Sequence, residues 1–184
     1  MKSNLKKNNG IIKPKIFVFD VDGVMTDGKF YYTEKGKVMK KFGPDDNDAL
    51  KIIEDYINVQ FVTGDKKGYK ISKKRISNHM GFKLNLVSTV NRLEWIKKNF
   101  EIKKTIYIGD GIFDGIVMKN VGFSITPSDG SEVTKKFASL VLKRKGGDRA
   151  VAEAVIYILN KFFHFKDIYS AIKKNKKFSG NWSS

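Results

Sequence analysis

Phe17-Val18-Phe19-Asp20-Val21-Asp22-Gly23-Val24 is an apolar run that ends in two aspartates, one residue apart, followed by a glycine. A short, continuous run of β-branched and aromatic residues is typical of a strand buried in a parallel sheet. Carboxylates at the carboxyl end of such a strand lie in the crevice where open α/β sheets bind ligands. The stretch therefore predicts both a central strand and a polar site at its end.

Asp20 and Asp22 are two residues apart, so an ideal strand would place them on one face, and a bend at Gly23 would let them flank one small site. Two carboxylates this close raise each other's pKa unless a cation lies between them. Mg2+ prefers oxygen ligands and would resolve that conflict. An acidic turn after a strand would explain the pair equally well, so the rest of the chain has to decide.

The composition predicts one globular domain over residues 1–184, with a loose basic tail at 1–13 and a C-terminal tail at 177–184. The chain has no cysteine, which excludes disulfides, zinc–thiolate sites and thiol catalysis. No apolar run approaches membrane length, so we expect no membrane association and a cytoplasmic location.

The formal net charge is +17, from 36 basic and 19 acidic residues. A basic protein can bind nucleic acid through its phosphates. Here the lysines are dispersed through nearly every segment, largely at the polar positions of helical patterns, and no nucleic-acid motif is present. We therefore expect a small anionic substrate and no nucleic-acid partner.

Strand-like and helical segments alternate along the chain, which predicts an α/β fold with a doubly wound, mainly parallel sheet. Two short runs, 29–32 and 37–42, flank a turn and predict a β-hairpin directly after the first strand. No insert is long enough to form a second folded domain over the crevice. The strands are predicted at 15–19, 59–62, 83–87, 104–108, 121–125 and 139–142, and the helices from 44, at 66–80, at 89–100, from 148 and at 165–172.

Polar residues follow three of these strands, so one crevice can collect them. Besides Asp20 and Asp22, Thr63 ends the second strand and Gly109-Asp110-Gly-x-x-Asp114 ends the fourth, while Arg92 begins the helix after the third. This order of four motifs resembles the haloacid dehalogenase-like (HAD) phosphohydrolases, which have a Rossmann-like fold. The resemblance predicts a phosphoric monoester hydrolase.

The resemblance implies a role for each motif. Asp20 would attack phosphorus and form an aspartyl-phosphate, and Asp22 would act as general acid and then as general base. Thr63 and the backbone after Asp22, including Gly23, would bind the phosphate. The neighbouring Gly64 and Asp65 are also predicted to contact the substrate.

The resemblance also implies a Mg2+ site and a cation from the third motif. Asp20, the backbone carbonyl of Asp22 and Asp110 would hold Mg2+, with Asp114 supporting them. Arg92 is the candidate for the third motif, where the family commonly has lysine. Lys83 and Lys97 are the alternatives, and an inactive HAD-like binding domain remains possible because of this departure.

A narrower resemblance covers about residues 15–165. Asp20 to Gly28 followed directly by a hairpin is similar to the cap-less sugar-acid phosphatases, and residues 145–151 are similar to their late glycine-rich segment. That group implies a Mg2+-dependent homotetramer in which the hairpin and a neighbour's C-terminal tail cover the site.

Two substrates are compatible with this group. The enzymes for 3-deoxy-octulosonate 8-phosphate usually have arginine where this chain has Asp65, and again where it has Asp45. Arginine can bind a sugar carboxylate in a bidentate pair, whereas aspartate would repel it. These departures favour a nonulosonate 9-phosphate of sialic acid-type biosynthesis, with the octulosonate ester of lipopolysaccharide synthesis as the alternative and a nucleic-acid 3′-phosphatase as a further one.

Overall fold

A computed structural model of the protein describes residues 12–174. Its eight strands are β1 (Ile16–Asp20), β2 (Tyr31–Thr33), β3 (Gly36–Met39), β4 (Asn58–Thr63), β5 (Leu84–Leu86), β6 (Thr105–Ile108), β7 (Phe123–Thr126) and β8 (Leu140–Val141). Six of them form one sheet in the order β5-β4-β1-β6-β7-β8, and every pair in it is parallel. The predicted α/β fold with a mainly parallel sheet is confirmed.

All five residues of β1 are buried, because the strand lies in the interior of the sheet and both its faces are covered. Phe17 and Phe19 point to one face, where Phe19 stacks on Phe61. Ile16 and Val18 belong to the core on the other face. The continuous apolar run in the sequence reflects this burial on both sides.

Helices cover both faces of the sheet. The helices are α1 (Asp45–Ile53), α2 (Tyr69–Lys73), α3 (Arg92–Asn99), α4 (Asp114–Met118), α5 (Glu132–Lys135), α6 (Ala150–Phe163) and α7 (Ile168–Lys174). Helices α1 and α6 pack together and contribute apolar side chains to the core around Phe17 and Phe19. Helices α3 and α4 cover the other face with Ile96 and Val117.

The helical region after β4 differs from the prediction. The sequence predicts one helix over 66–80, but α2 is short and continues as a π-helical turn over Lys74–His79. Gly81 ends this segment with φ of +78°, a conformation that favours glycine. Helices α4 and α5 were not predicted, because segments of four or five residues are too short to show helical periodicity.

The predicted hairpin is present as β2 and β3, which pair antiparallel beyond the carboxyl end of β1. Its outer surface is apolar and exposed. The predicted tails at 1–13 and 177–184 lie outside the described residues, except for Ile12 and Lys13. Among residues 12–174, no helix has the length and apolar character needed to cross a membrane.

Candidate active site

Asp20 ends β1 and is held by three hydrogen bonds. Its Oδ1 accepts from the Val21 amide at 2.7 Å and from Arg92 Nη2 at 3.1 Å, and its Oδ2 accepts from Arg92 Nη1 at 2.5 Å. The side chain is nearly buried. Because charge-assisted bonds fix both oxygens, the carboxylate has a defined direction at the end of the strand.

Arg92 is the cation that the structure brings to this cluster. Helix α3 begins at Arg92, whose side chain is 1% exposed. Its Nη1 lies 2.8 Å from Asp114 Oδ1, in addition to its bonds to Asp20. Lys83 is exposed, and Lys97 is bound to Glu94 on the surface. Neither lysine is placed where Arg92 is.

Tyr107 completes the environment of Asp114 and was not predicted. Its hydroxyl donates to Asp114 Oδ1 at 2.5 Å and accepts from Arg92 Nη1 at 2.7 Å. The other oxygen of Asp114 accepts from the amides of Asp110 and Gly111 at 3.0 and 2.8 Å. Both oxygens of Asp114 are therefore engaged with protein donors, which suits a residue that shapes the loop rather than one that binds a metal directly.

Asp110 differs from Asp114 in the hydrogen bonding of its carboxylate. Oxygens of Asp20, Asp110 and Asp114 all lie within 4.8 Å of one another, yet no donor among the described residues reaches the Asp110 carboxylate. A Cβ at Gly23, which has φ of +78°, would overlap that carboxylate, so the glycine makes room for it. A carboxylate that accepts no hydrogen bond and lies beside a second carboxylate offers oxygen ligands only, which fits Mg2+.

The pKa values of these carboxyls support the same conclusion. Burial raises the pKa of Asp20, and the Arg92 guanidinium opposes that effect. Burial, followed by the charges of Asp20 and Asp114, raises the pKa of Asp110 to about 8. Three carboxyls with one guanidinium leave an excess of negative charge, which a divalent cation would neutralise.

Asp22 is partly exposed and its side chain makes a separate set of contacts, with Thr63 and Lys40. Its Oδ2 accepts a bond of 3.3 Å from the Thr63 hydroxyl, and that hydroxyl oxygen accepts from the Asp65 amide at 3.1 Å. Thr63 is fully buried at the end of β4. The ends of β1 and β4 thus bring Asp22 and Thr63 together, as their positions after two strands predicted.

Two lysines of the hairpin region also reach this site, and sequence reasoning missed both. Lys40 Nζ lies 2.6 Å from Asp22 Oδ1 and 2.8 Å from Asp65 Oδ2. Lys37 Nζ lies 2.5 Å from Asp65 Oδ2. In a chain with 36 basic residues, nothing in the sequence distinguishes these two from solvated lysines.

Gly23 and Gly64 were predicted to contact the substrate, and the structure shows their surroundings. The Gly23 amide donates to the Thr26 hydroxyl at 3.3 Å, within its own loop. Gly64 is exposed at the end of β4.

A Cβ at Gly146 would overlap the Gly23 carbonyl, and the Gly147 amide bonds to Val24 O at 3.0 Å. The late glycine-rich segment therefore packs directly against the loop that carries Asp22.

Comparison with known proteins identifies relatives of this chain, although no protein-family model matches it. The chain is 30% identical over 152 residues to the 3-deoxy-D-manno-octulosonate 8-phosphate phosphatase KdsC of Yersinia pestis, a match that covers 79% of each protein. It belongs to the KdsC family of HAD phosphatases. The KdsC protein of Escherichia coli K12 is 28% identical over the same length.

Solved structures of this KdsC family have the same fold. The Yersinia pestis enzyme superimposes with a TM-score of 0.71 at 27% identity, covering 82% of this chain and 83% of that one. The Moraxella catarrhalis enzyme, solved with magnesium, phosphate and KDO, gives 0.72 at 26% identity and covers 83% and 91%. The cobalt-bound enzyme of Haemophilus influenzae gives 0.72 at 26%, with coverage of 87% and 97%.

Membership of the KdsC family confirms three predictions. The resemblance to cap-less sugar-acid phosphatases of the HAD type is correct. The protein is a phosphoric monoester hydrolase, so the alternative of an inactive domain is not supported. Its cofactor is Mg2+, for which Asp20 and Asp110 are suitable ligands.

Proposed function

We propose that the protein hydrolyses 3-deoxy-D-manno-octulosonate 8-phosphate, releasing the free sugar acid for lipopolysaccharide synthesis. The observation that carries this proposal is the 79% mutual coverage with a phosphatase named for that substrate. The cluster that contains Asp20 and Asp110, with Asp22 beside Thr63 in the loop after the same strand, supports phosphate-ester chemistry at this position. The sequence favoured a nonulosonate 9-phosphate, and the comparisons favour its alternative.

The nine-carbon substrate was favoured because Asp65 was expected to repel a sugar carboxylate, but the surroundings of Asp65 reduce that repulsion. Both Lys37 and Lys40 contact Asp65, and these lysines, followed by the Gly68 amide, keep its pKa at about 2 despite burial. The two ammonium groups thus offset the charge of Asp65, which no longer presents an unpaired carboxylate to an anionic substrate.

In the proposed reaction, Asp20 attacks the phosphorus and the alcohol leaves with a proton from Asp22. Asp22 then takes a proton from the water that hydrolyses the aspartyl-phosphate. Arg92 holds the attacking carboxylate in place through two nitrogens. In this reaction Thr63, at the end of β4, would turn its hydroxyl from Asp22 to a phosphate oxygen.

Mg2+ supplies charge neutralisation for the transferring phosphoryl group when it is bound. Asp20, Asp110 and the backbone carbonyl of Asp22 are the proposed ligands. Asp114 keeps the loop of Asp110 in shape through the amides of Asp110 and Gly111.

We also propose that the single domain assembles as a homotetramer in which the hairpin contacts neighbouring copies. Phe30, Tyr32 and Val38 of the hairpin are 40%, 60% and 51% exposed. Exposed apolar clusters of this kind are typical of interaction surfaces. Covering them would also shield the crevice, which has no other lid among the described residues.

The test is a comparison of kcat/KM for the eight-carbon 8-phosphate and a nonulosonate 9-phosphate, both with Mg2+. We expect at least a tenfold preference for the eight-carbon ester, about 1.4 kcal/mol in transition-state binding. An Asp20→Asn protein, purified in parallel, controls for contaminating phosphatases. A tenfold preference for the nine-carbon ester would restore the first interpretation.

A further inference from the structure

Lys40 follows β3, and its side chain is 0% exposed. Removing an ammonium group from water is costly unless partners replace the water. Besides Asp22 and Asp65, the Lys40 Nζ contacts Ser72 Oγ at 3.0 Å. An ammonium has three donors, and these three residues use all of them. Lys40 is therefore fixed, unlike a solvated lysine.

The surroundings are shaped to admit this side chain. A Cβ at Gly68 would overlap Asp65 and would lie 2.9 Å from the Lys40 Cε and also from the Lys37 Cδ, so this glycine makes room for both lysines. Lys37 runs beside Lys40, but Asp65 is the only carboxylate it contacts among the described residues, and its Nζ lies 3.2 Å from the centre of the Phe30 ring. Of the two neighbouring lysines, only Lys40 contacts Asp22.

Asp22 has few other restraints. Among the described residues, its remaining side-chain contact is the 3.3 Å bond from Thr63, which is long for a hydroxyl donor. Asp20, by comparison, is held by an amide and two guanidinium nitrogens. The two aspartates of the motif thus have separate cations, Arg92 for the first and Lys40 for the second.

We propose that Lys40 is a positioning residue that holds the Asp22 carboxyl where it can transfer a proton to the leaving oxygen. This inference rests on the proposed mechanism, in which the bond from phosphorus to the leaving oxygen breaks as the bond to Asp20 forms. Asp22 gives its proton to that oxygen and regains one from water in the second step. Lys40 stays an ammonium throughout and transfers no proton.

The position of a general acid matters because it has to lie within about 2.6–3.2 Å of the proton's acceptor. A displacement of about 1 Å can lower a rate roughly 10²-fold. Lys40 comes from the hairpin, whereas Asp22 comes from the loop after β1. The hairpin therefore takes part in positioning the acid besides covering the crevice.

The experiment compares Lys40→Met with Lys37→Met on two substrates, the sugar-acid phosphate and 4-nitrophenyl phosphate. The parameter is kcat/KM, which reports only on steps up to the first phosphoryl transfer. Because 4-nitrophenolate leaves without a proton, a misplaced acid matters less for it. For Lys40→Met we expect a loss of about 10²-fold on the sugar ester and less than about tenfold on the aryl ester. For Lys37→Met the ratio of kcat between the two substrates should stay within about twofold, because Lys37 does not contact Asp22, and any effect of the lost charge beside Asp65 should appear in KM for the sugar ester.

Equal losses on both substrates would overturn the proposal, because they would indicate general damage. A rise in KM confined to the sugar ester would also overturn it, since Lys40 would then bind the substrate. Ser72→Ala removes one partner of Lys40 with a smaller change, and we expect the same direction of effect if Lys40→Met does not fold. An unchanged substrate ratio in a folded Ser72→Ala protein would contradict the proposal.

A crystal structure of Lys40→Met supplies a readout that does not depend on activity. We expect the Asp22 carboxyl to rotate and to lose its bond to Thr63. An Asp22 side chain in its original place would overturn the proposal even if the sugar-acid ester were not a substrate. Absence of cleavage of either sugar-acid ester by the unaltered protein would instead refute the proposed function.

Discussion

At the scale of single residues, Asp20→Asn tests the covalent mechanism. Asparagine keeps an oxygen for Arg92 and the Val21 amide, so the fold should persist, but it removes the nucleophile and a charged metal ligand together. We expect phosphate release to fall by at least about 10³-fold. The measurement is phosphate release with excess Mg2+, and the circular dichroism spectrum serves as the control. Retention of a tenth of the activity would refute a covalent role for Asp20.

Arg92→Lys tests whether the guanidinium can be replaced by the lysine common in the family. A lysine has a single nitrogen and cannot bond in the same way to both oxygens of Asp20 and to Asp114. We expect a folded enzyme with kcat lowered about 10- to 100-fold. Arg92→Met leaves Asp20 and Asp114 without their cation, so it should be destabilised by about 3–5 kcal/mol in urea unfolding. Equal stability of the two variants would contradict this account.

Some residues of the candidate site belong to a recognisable sequence motif, and others do not. Asp20, Asp22 and Asp110 follow strands in a recognisable spacing, and they were predicted for that reason. Tyr107 belongs to an ordinary buried strand, and Lys40 is one of many lysines, so neither has a local signal. Their contacts depend on which strands become neighbours, which no local pattern specifies.

At the scale of elements, the start of α6 depends on a residue of α1. Asp46 is buried and accepts from the Ala152 amide at 2.9 Å, which supplies a cap from another helix. Burial raises the pKa of Asp46 to about 6, although the amide bond opposes that effect. The folded protein therefore binds this proton more tightly than the unfolded chain does.

Asp46→Asn should accordingly change how stability depends on pH. Because the folded pKa is the higher one, the contribution of Asp46 to the free energy of unfolding increases as the pH falls from about 6 to about 4. Between these pH values, the difference in the free energy of unfolding between the two proteins should change by about 3 kcal/mol at most. Asparagine still accepts from Ala152, so near pH 7 the variant should be at least as stable. Urea unfolding at several pH values measures this difference. If the free energy of unfolding depends on pH in the same way in both proteins, the prediction is refuted.

The six strands of the main sheet were predicted within one or two residues, because its inner strands are buried on both faces and leave continuous apolar runs. The second hairpin strand was predicted at 37–42 but is Gly36–Met39. Helix boundaries were less accurate. The segment after β4 lacks a regular apolar period and forms a π-helical turn, and α4 and α5 cover little more than one helical turn, too little for a period to show. The hairpin was predicted because its turn and its short length leave few other arrangements.

At the scale of the whole molecule, Mg2+ should stabilise the fold. A ligand present at about 100 times its dissociation constant adds about 2.7 kcal/mol. For a chain of this length, that corresponds to a rise in Tm of about 5–10 °C. Differential scanning fluorimetry with and without Mg2+ measures it, with Asp110→Asn as the control that should show little rise. A similar rise in the variant would place the Mg2+ elsewhere.

The proposed tetramer gives a further prediction. Tyr32→Ser combined with Val38→Ser replaces exposed side chains of the hairpin and leaves the core unchanged. We expect light scattering to detect dissociation, together with loss of activity as the crevice opens. Tyr169→Ser, at an exposed residue of α7, is the matched control and should leave the assembly intact. A fully active monomer of the unaltered protein would contradict the proposal.

The contact between Gly146 and the Gly23 carbonyl has a consequence for the order in which the protein is made. About 120 residues separate the two glycines in the sequence, which at about 5–20 residues per second is roughly 6–25 s of translation. Until Gly146 has left the ribosome, the loop that carries Asp22 lacks the segment that packs against it. A nascent or prematurely terminated chain therefore contains both aspartates proposed to be catalytic, without a finished active site.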